Sequence, residues 1–145
     1  MKQRKRLKRI MALKERIRDA RKAAVISARR AEDDAIAAVD DAKDEVERIS
    51  GEFELIEEVA ANELAHRGDM VASARRYHHR AVEQREEKTV ERESQEEILV
   101  RASKEVRSLE GLDRRYAETE RKEEARRERS ESDEFAARVT RGDGL

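Results

Sequence analysis

The chain has 145 residues, 48% of them Asp, Glu, Lys or Arg and only 3% aromatic, against about 25% charged in ordinary globular domains. Its 34 basic and 35 acidic residues nearly cancel, and it has no Cys, Pro or Trp. Disulfides, thiolate zinc sites and cysteine nucleophiles are thereby excluded, and the apolar share suits a narrow seam between long helices rather than a multilayer enzyme core. No apolar stretch approaches the ~20 residues of a membrane span. The apolar residues Ile10 to Leu13 are followed at once by Lys14, Glu15 and Arg16, too short a block for a signal peptide, so a cytosolic location is expected.

The chain opens with Lys2, Arg4, Lys5, Arg6, Lys8 and Arg9. Cations at a helix start oppose the macrodipole, so this cluster reads either as a site for an anionic partner or as a solubilising tail. Nucleic acid and an acidic protein surface fit equally, but there is no aromatic platform on which bases could stack.

Ile10, Leu13, Ile17, Ala20 and Ala24 then recur in steps of three and four. After a lengthening to eight between Ile17 and Val25, the steps continue through Val25, Ala28, Glu32, Ala35, Val39, Ala42, Val46, Ile49, Phe53, Ile56 and Ala60. A mean step of 3.5 keeps one stripe against a partner helix, the condition for a left-handed coiled coil; only Glu32 interrupts the second run. The pattern predicts a first helix over about 7–64, reaching roughly 85 Å. Gly68 can take the left-handed conformation that ends a helix and Asp69 can cap the next, which predicts a tip at about 65–70.

A second helix over about 71–139 carries Val71, Ala74, His78, Ala81, the polar Arg85, Lys88, Arg92 and Gln95, then Leu99, Ala102, Val106, Leu109, Asp113 and Tyr116. With the tip at Gly68, residues facing one another have numbers summing to about 136. The charged tract from Glu118 to Arg129 reads as a solvated extension supported by the i,i+4 pairs Glu118 with Lys122 and Glu123 with Arg127, the alternative being a helix that folds fully against a partner. A frayed end is expected from Gly142. The fold class is all-α: one domain, a long antiparallel two-helix coiled-coil hairpin.

Little in this pattern is chemical. His78 and His79 are adjacent and point about 100° apart, so they cannot form a helical zinc chelate, and His66 stands alone. No P-loop, dinucleotide turn or nucleophile elbow occurs. The reading is a non-enzyme with no catalytic residue, metal, cofactor or small-molecule substrate. Arg67-Gly68-Asp69 and Arg141-Gly142-Asp143 spell an adhesion tripeptide but read as turn and cap.

The run Leu109-Glu110-Gly111-Leu112-Asp113-Arg114-Arg115, the Arg and Glu tract after it, and Ser132-Asp133-Glu134-Phe135-Ala136-Ala137-Arg138 resemble the C-terminal signature of the FliJ family of flagellar export stalk proteins and their YscO-type counterparts in type III secretion. Leu7, Ile10 and Leu13, followed by Lys14-Glu15-Arg16, are similar to the family's first turns. The resemblance implies a stalk that inserts into the hexameric export ATPase, promotes its assembly and activity, contacts the export gate and escorts export chaperones. Such a protein would lie at the cytoplasmic face of the inner membrane, associated with it through the export apparatus. The residues implied to face the ATPase are Leu7, Ile10, Leu13, Leu109, Leu112, Arg114, Arg115, Asp133, Glu134, Phe135 and Arg138. A gate-binding tip would draw on Phe53, Ile56, Met70, Val71, Tyr77 and Val82.

Two other classes stay open. A nucleic-acid-binding coiled coil would use the basic N-terminus, although nucleic acid is the less favoured partner. A peripheral-stalk subunit of a rotary ATPase would share the length and charge but would pair between two chains.

Overall fold

A computed structural model describes residues 2–54, 58 and 60–143. It holds two α-helices, α1 over Lys2–Glu54 and α2 over Ala61–Asp143, of 53 and 83 residues, and no strand among the described residues. The fold is an all-α helical hairpin. The chain divides into two compact units, the first made of Met1–Arg18 with Ala102–Leu145 and the second of Asp19–Arg101.

In the second unit the expected seam is the buried one. Val25, Val39, Ala42 and Ile49 of α1 and Ala81 of α2 are all under a tenth exposed, with Ala28, Glu32, Ala35, Val46 and Phe53 half-buried between them. Val39, Ala42 and Ala81 form one cluster, with Val82 packed against it. Alanines bring the two backbones close, and each buried valine contributes roughly 1.5 kcal/mol or more.

Among the described residues of the first unit only Leu7 and Val106 are buried, beside half-buried Met11, Leu109, Leu112 and Tyr116. Ion pairs complete the seam there. Arg4 donates to Asp113 Oδ1 at 3.1 Å and to Glu120 Oε2 at 2.7 Å, and Lys14 lies 2.9 Å from Glu105.

The turn is not at 65–70. The helices break between Glu54 and Ala61, and α2 begins with the Leu64 amide donating to the Ala60 carbonyl at 3.0 Å. Gly68 continues α2, and no described glycine has a positive φ. A glycine inside a helix costs about 1 kcal/mol, less than exposing two further sets of unpaired backbone groups, and Glu63, Leu64 and Ala65 around it favour helix. The first helix thus ends ten residues earlier than 64, the second starts at Ala61 rather than 71 and runs on to Asp143, and α1 already begins at Lys2. Ala60 falls outside α1, and Ile56 lies outside the described residues.

The register moves with the turn. Arg29 meets Glu96 and Glu32 meets Arg92, so partners on α2 fall nearer its start than a sum of 136 requires, by eleven to twelve residues. A displacement close to three whole turns keeps the same stripe facing inward, which is why most seam residues survive the shift.

The N-terminal stripe is the other correction. Leu7 and Met11 face α2, whereas Ile10, Leu13 and Ile17 are 47%, 56% and 38% exposed. The heptad from Val25 in fact continues upstream through Arg21, which is exposed, and then Arg18, Lys14, Met11, Leu7 and Arg4. Ion-paired polar side chains hold positions where apolar ones were expected, and the apolar residues stand beside the seam.

Candidate functional site

The first unit carries a concentrated positive charge: residues 1–18 include nine Lys or Arg and one Glu. Of the six residues of the basic cluster, Arg4 turns inward to Asp113 and Glu120, whose hydrogen bonds raise its pKa above the ordinary guanidinium value. Lys2, Lys5, Arg6, Lys8 and Arg9 are exposed. The cluster therefore presents five cations outward, held by the α1 backbone and by Leu7 packed beneath them.

The residues implied to face the ATPase all fall in this unit but not in one environment. Leu7 is 6% exposed, while Leu109 and Leu112 are half-buried and Arg114 and Arg115 exposed. Arg115 donates back to the Gly111 carbonyl at 3.5 Å. Asp133, Glu134, Phe135 and Arg138 lie on a stretch of α2 in which every residue from 121 to 142 is exposed. That stretch rises about 33 Å as a single helix. Lys122 pairs with Glu118 at 3.2 Å near its start, and Phe135 stands 70% exposed.

The second unit is acidic along α1, where residues 31–54 include ten Asp or Glu and two Lys or Arg. Beside them a shallow groove of about 350 Å³ is lined by Ala42, Glu45, Ile49, Met70, Ser73, Ala74 and Tyr77. Met70 is 40% and Tyr77 63% exposed. Val71 and Val82 are half-buried. Phe53 is half-buried under the Arg67 guanidinium, 5.0 Å from the ring centroid. Of the expected tip residues, Met70 and Tyr77 thus share an accessible apolar groove, Phe53, Val71 and Val82 belong mainly to the packing, and Ile56 is not described.

The histidines do not converge. His79 pairs with Glu83 at 3.1 Å on its own helix, and no group of three or more His, Cys, Asp or Glu among the described residues could hold a metal ion. No helix among them is long and apolar enough to cross a membrane.

One feature of the second unit was visible only in halves in the sequence. Glu32, the polar interruption of the first seam, accepts a 2.7 Å hydrogen bond from Arg92, a polar residue of the second. Arg92 also donates to Glu96 at 3.0 Å, and Arg29 joins Glu96 from α1. The Arg92 bond holds the Glu32 carboxyl below its ordinary pKa, and Glu32 in turn raises that of Arg92. Register was the missing signal: only with the turn between Glu54 and Ala61 do the two interruptions meet.

The first unit thus presents a basic cluster and an exposed apolar and charged helix, and the second an acidic stretch with an apolar groove. A family model described as flagellar FliJ protein matches residues 2–144. No curated protein and no solved structure matches the chain.

Proposed function

The chain belongs to the FliJ family of flagellar export proteins, and from that premise we propose that it is the non-catalytic central stalk of the export ATPase. In this reading the first unit enters the pore of the hexameric ring. Lys5, Arg6 and Arg9 are steered to acidic pore loops, and Ile10, Leu13, Phe135 and Arg138 supply direct contacts. Leu7, Leu109 and Leu112 act beneath the surface by fixing the pairing of α1 with α2. Binding the assembled ring more tightly than its free subunits raises ATP hydrolysis by mass action, without a catalytic group from the stalk.

The groove at Met70 and Tyr77 is the surface offered to the cytosolic domain of the export gate, and export chaperones dock along the remaining exposed helix. The protein would work at the cytoplasmic face of the inner membrane, held there through the apparatus. What supports this reading above all is that the family's matched span covers both the outward basic cluster and the exposed Asp133-Glu134-Phe135 step, which share one unit.

The test is ATP hydrolysis by the cognate export ATPase as a function of stalk concentration, beside a pull-down with the gate's cytosolic domain. Phe135→Ala, or charge reversal at Lys5, Arg6 and Arg9, is expected to raise the half-stimulating concentration roughly tenfold or more while gate binding survives. Met70→Glu with Tyr77→Glu is expected to do the opposite. Terminal variants that stimulate like the parent would sink the stalk reading.

A further inference from the structure

Ile10, Leu13 and Ile17 are large, exposed and spaced by three and four residues. They form a heptad stripe of their own beside the one that packs on α2, and a helix with two such stripes is built to meet two partners. The same unit contains a helix with no partner, the exposed stretch 121–142 of α2. It presents Phe135 at 70% and Val139 at 47% exposure, and Ser132, Phe135 and Val139 repeat with the steps of Ile10, Leu13 and Ile17.

We propose that the two features cover each other between two copies of this chain. The 121–142 stretch of each copy lies parallel to the start of α1 in the other, with Phe135 beside Leu13 and Val139 beside Ile17. In that register Arg6 and Arg9 come level with Glu128 and Glu131, in a stretch from Glu128 to Glu134 that holds four acids and one base. Charge and apolar spacing therefore fit at the same offset. The arrangement is isologous: one two-fold axis satisfies both stripes of both copies and closes the assembly.

One copy cannot do this alone. At the level of Lys14 the facing residue of α2 is Glu105. Phe135 lies thirty positions further, about 45 Å along an unbroken helix that has no positive φ at which to turn back. The pair also covers Phe135, which the stalk reading assigns to the ATPase, so dimer and ring-bound stalk are alternative states. The dimer itself does not rest on that reading, because it is measured without the ATPase.

The experiment is sedimentation equilibrium of the full chain up to about 1 mM, the range in which an interface this small associates, with helicity checked by circular dichroism. A concentration-dependent dimer is expected. Leu13→Asp and Phe135→Asp each change an exposed side chain, so the hairpin stays folded while the dissociation constant rises by about thirtyfold or more. Arg9→Glu and Glu131→Arg should each weaken the dimer, and the double variant should restore it. Because the chain has no cysteine, a mixture of Ile17→Cys and Val139→Cys copies carrying different tags should form the mixed disulfide in preference to either like pair. A chain that stays monomeric, or a dimer indifferent to Leu13→Asp and Phe135→Asp, overturns the proposal.

Discussion

Among the described residues the second unit buries five apolar side chains, Val25, Val39, Ala42, Ile49 and Ala81, whereas the first buries only Leu7 and Val106. Their charges also differ: residues 1–18 are strongly basic, while residues 31–54 are strongly acidic. In the second unit the apolar seam is spent on holding the helices together. In the first, ion pairs take seam positions at Arg4 and Lys14, and Ile10, Leu13 and Ile17 remain available to a partner. One hairpin sequence thus divides its apolar residues between a buried seam and an exposed stripe, and a hydrophobic pattern by itself does not tell which of the two a stripe is.

The contrast can be broken most forcefully at Val106, which is 1% exposed. Val106→Asp places a carboxylate in the small core of the first unit and should cost about 3 kcal/mol or more. Hydrogen exchange should show residues 102–120 falling to the protection of the unpaired stretch 121–142, while Val39 to Ala42 keep theirs. Loss of protection in both units together would mean that they fold as one cooperative body.

A smaller effect sharpens the second unit. A Cβ built on Gly68 meets nothing within 4 Å, so Gly68→Ala should stabilise the chain by about 0.5–1 kcal/mol in urea unfolding. A turn at that glycine would give the opposite sign.

The smallest effect concerns the polar layer. Arg92 holds the Glu32 carboxyl below its ordinary value of 4.5. A depressed folded pKa stabilises the fold above the unfolded value and loses that contribution as pH falls through the folded one. Glu32→Gln should therefore lower stability modestly at pH 7, and its difference from the parent should vanish as the pH falls well below 4.5. A difference that persists at low pH would mean that Glu32 acts by packing rather than charge.

The sequence made the α1 seam from Val25 to Phe53 legible, because its apolar steps are regular and the residues between them are charged. The α2 seam was legible at its two apolar ends, from Val71 to Ala81 and from Leu99 to Tyr116, but not between them, where Arg85 and Lys88 are exposed. The turn was not: Gly68 is a strong local signal, but it cannot be weighed against residues 55–60, which contain neither Gly nor Pro, without knowing which pairing buries more. The stripe at Ile10 misled for a related reason. Its spacing is that of a seam, and only the register of α2 shows that Arg4, Leu7, Met11 and Lys14 are the residues facing it. Of the surfaces, the basic cluster and the Phe135 step could be read directly from composition and motif. The groove at Met70 and Tyr77 depends on α1 and α2 together and left only a list of apolar residues.

The Glu32 and Arg92 contact bears on how the second unit would answer a pull along its helices. Sliding α2 past α1 by one heptad in either direction would set the Arg92 guanidinium against Val25 or against Val39, side chains 3% and 8% exposed, and would strip it of its carboxylate. An all-apolar seam of alanines and valines would slip between such registers at little cost, since every heptad looks alike. A single charged rung makes the registers unequal and acts as a shear key, so that the two helices of this unit are displaced together under axial load.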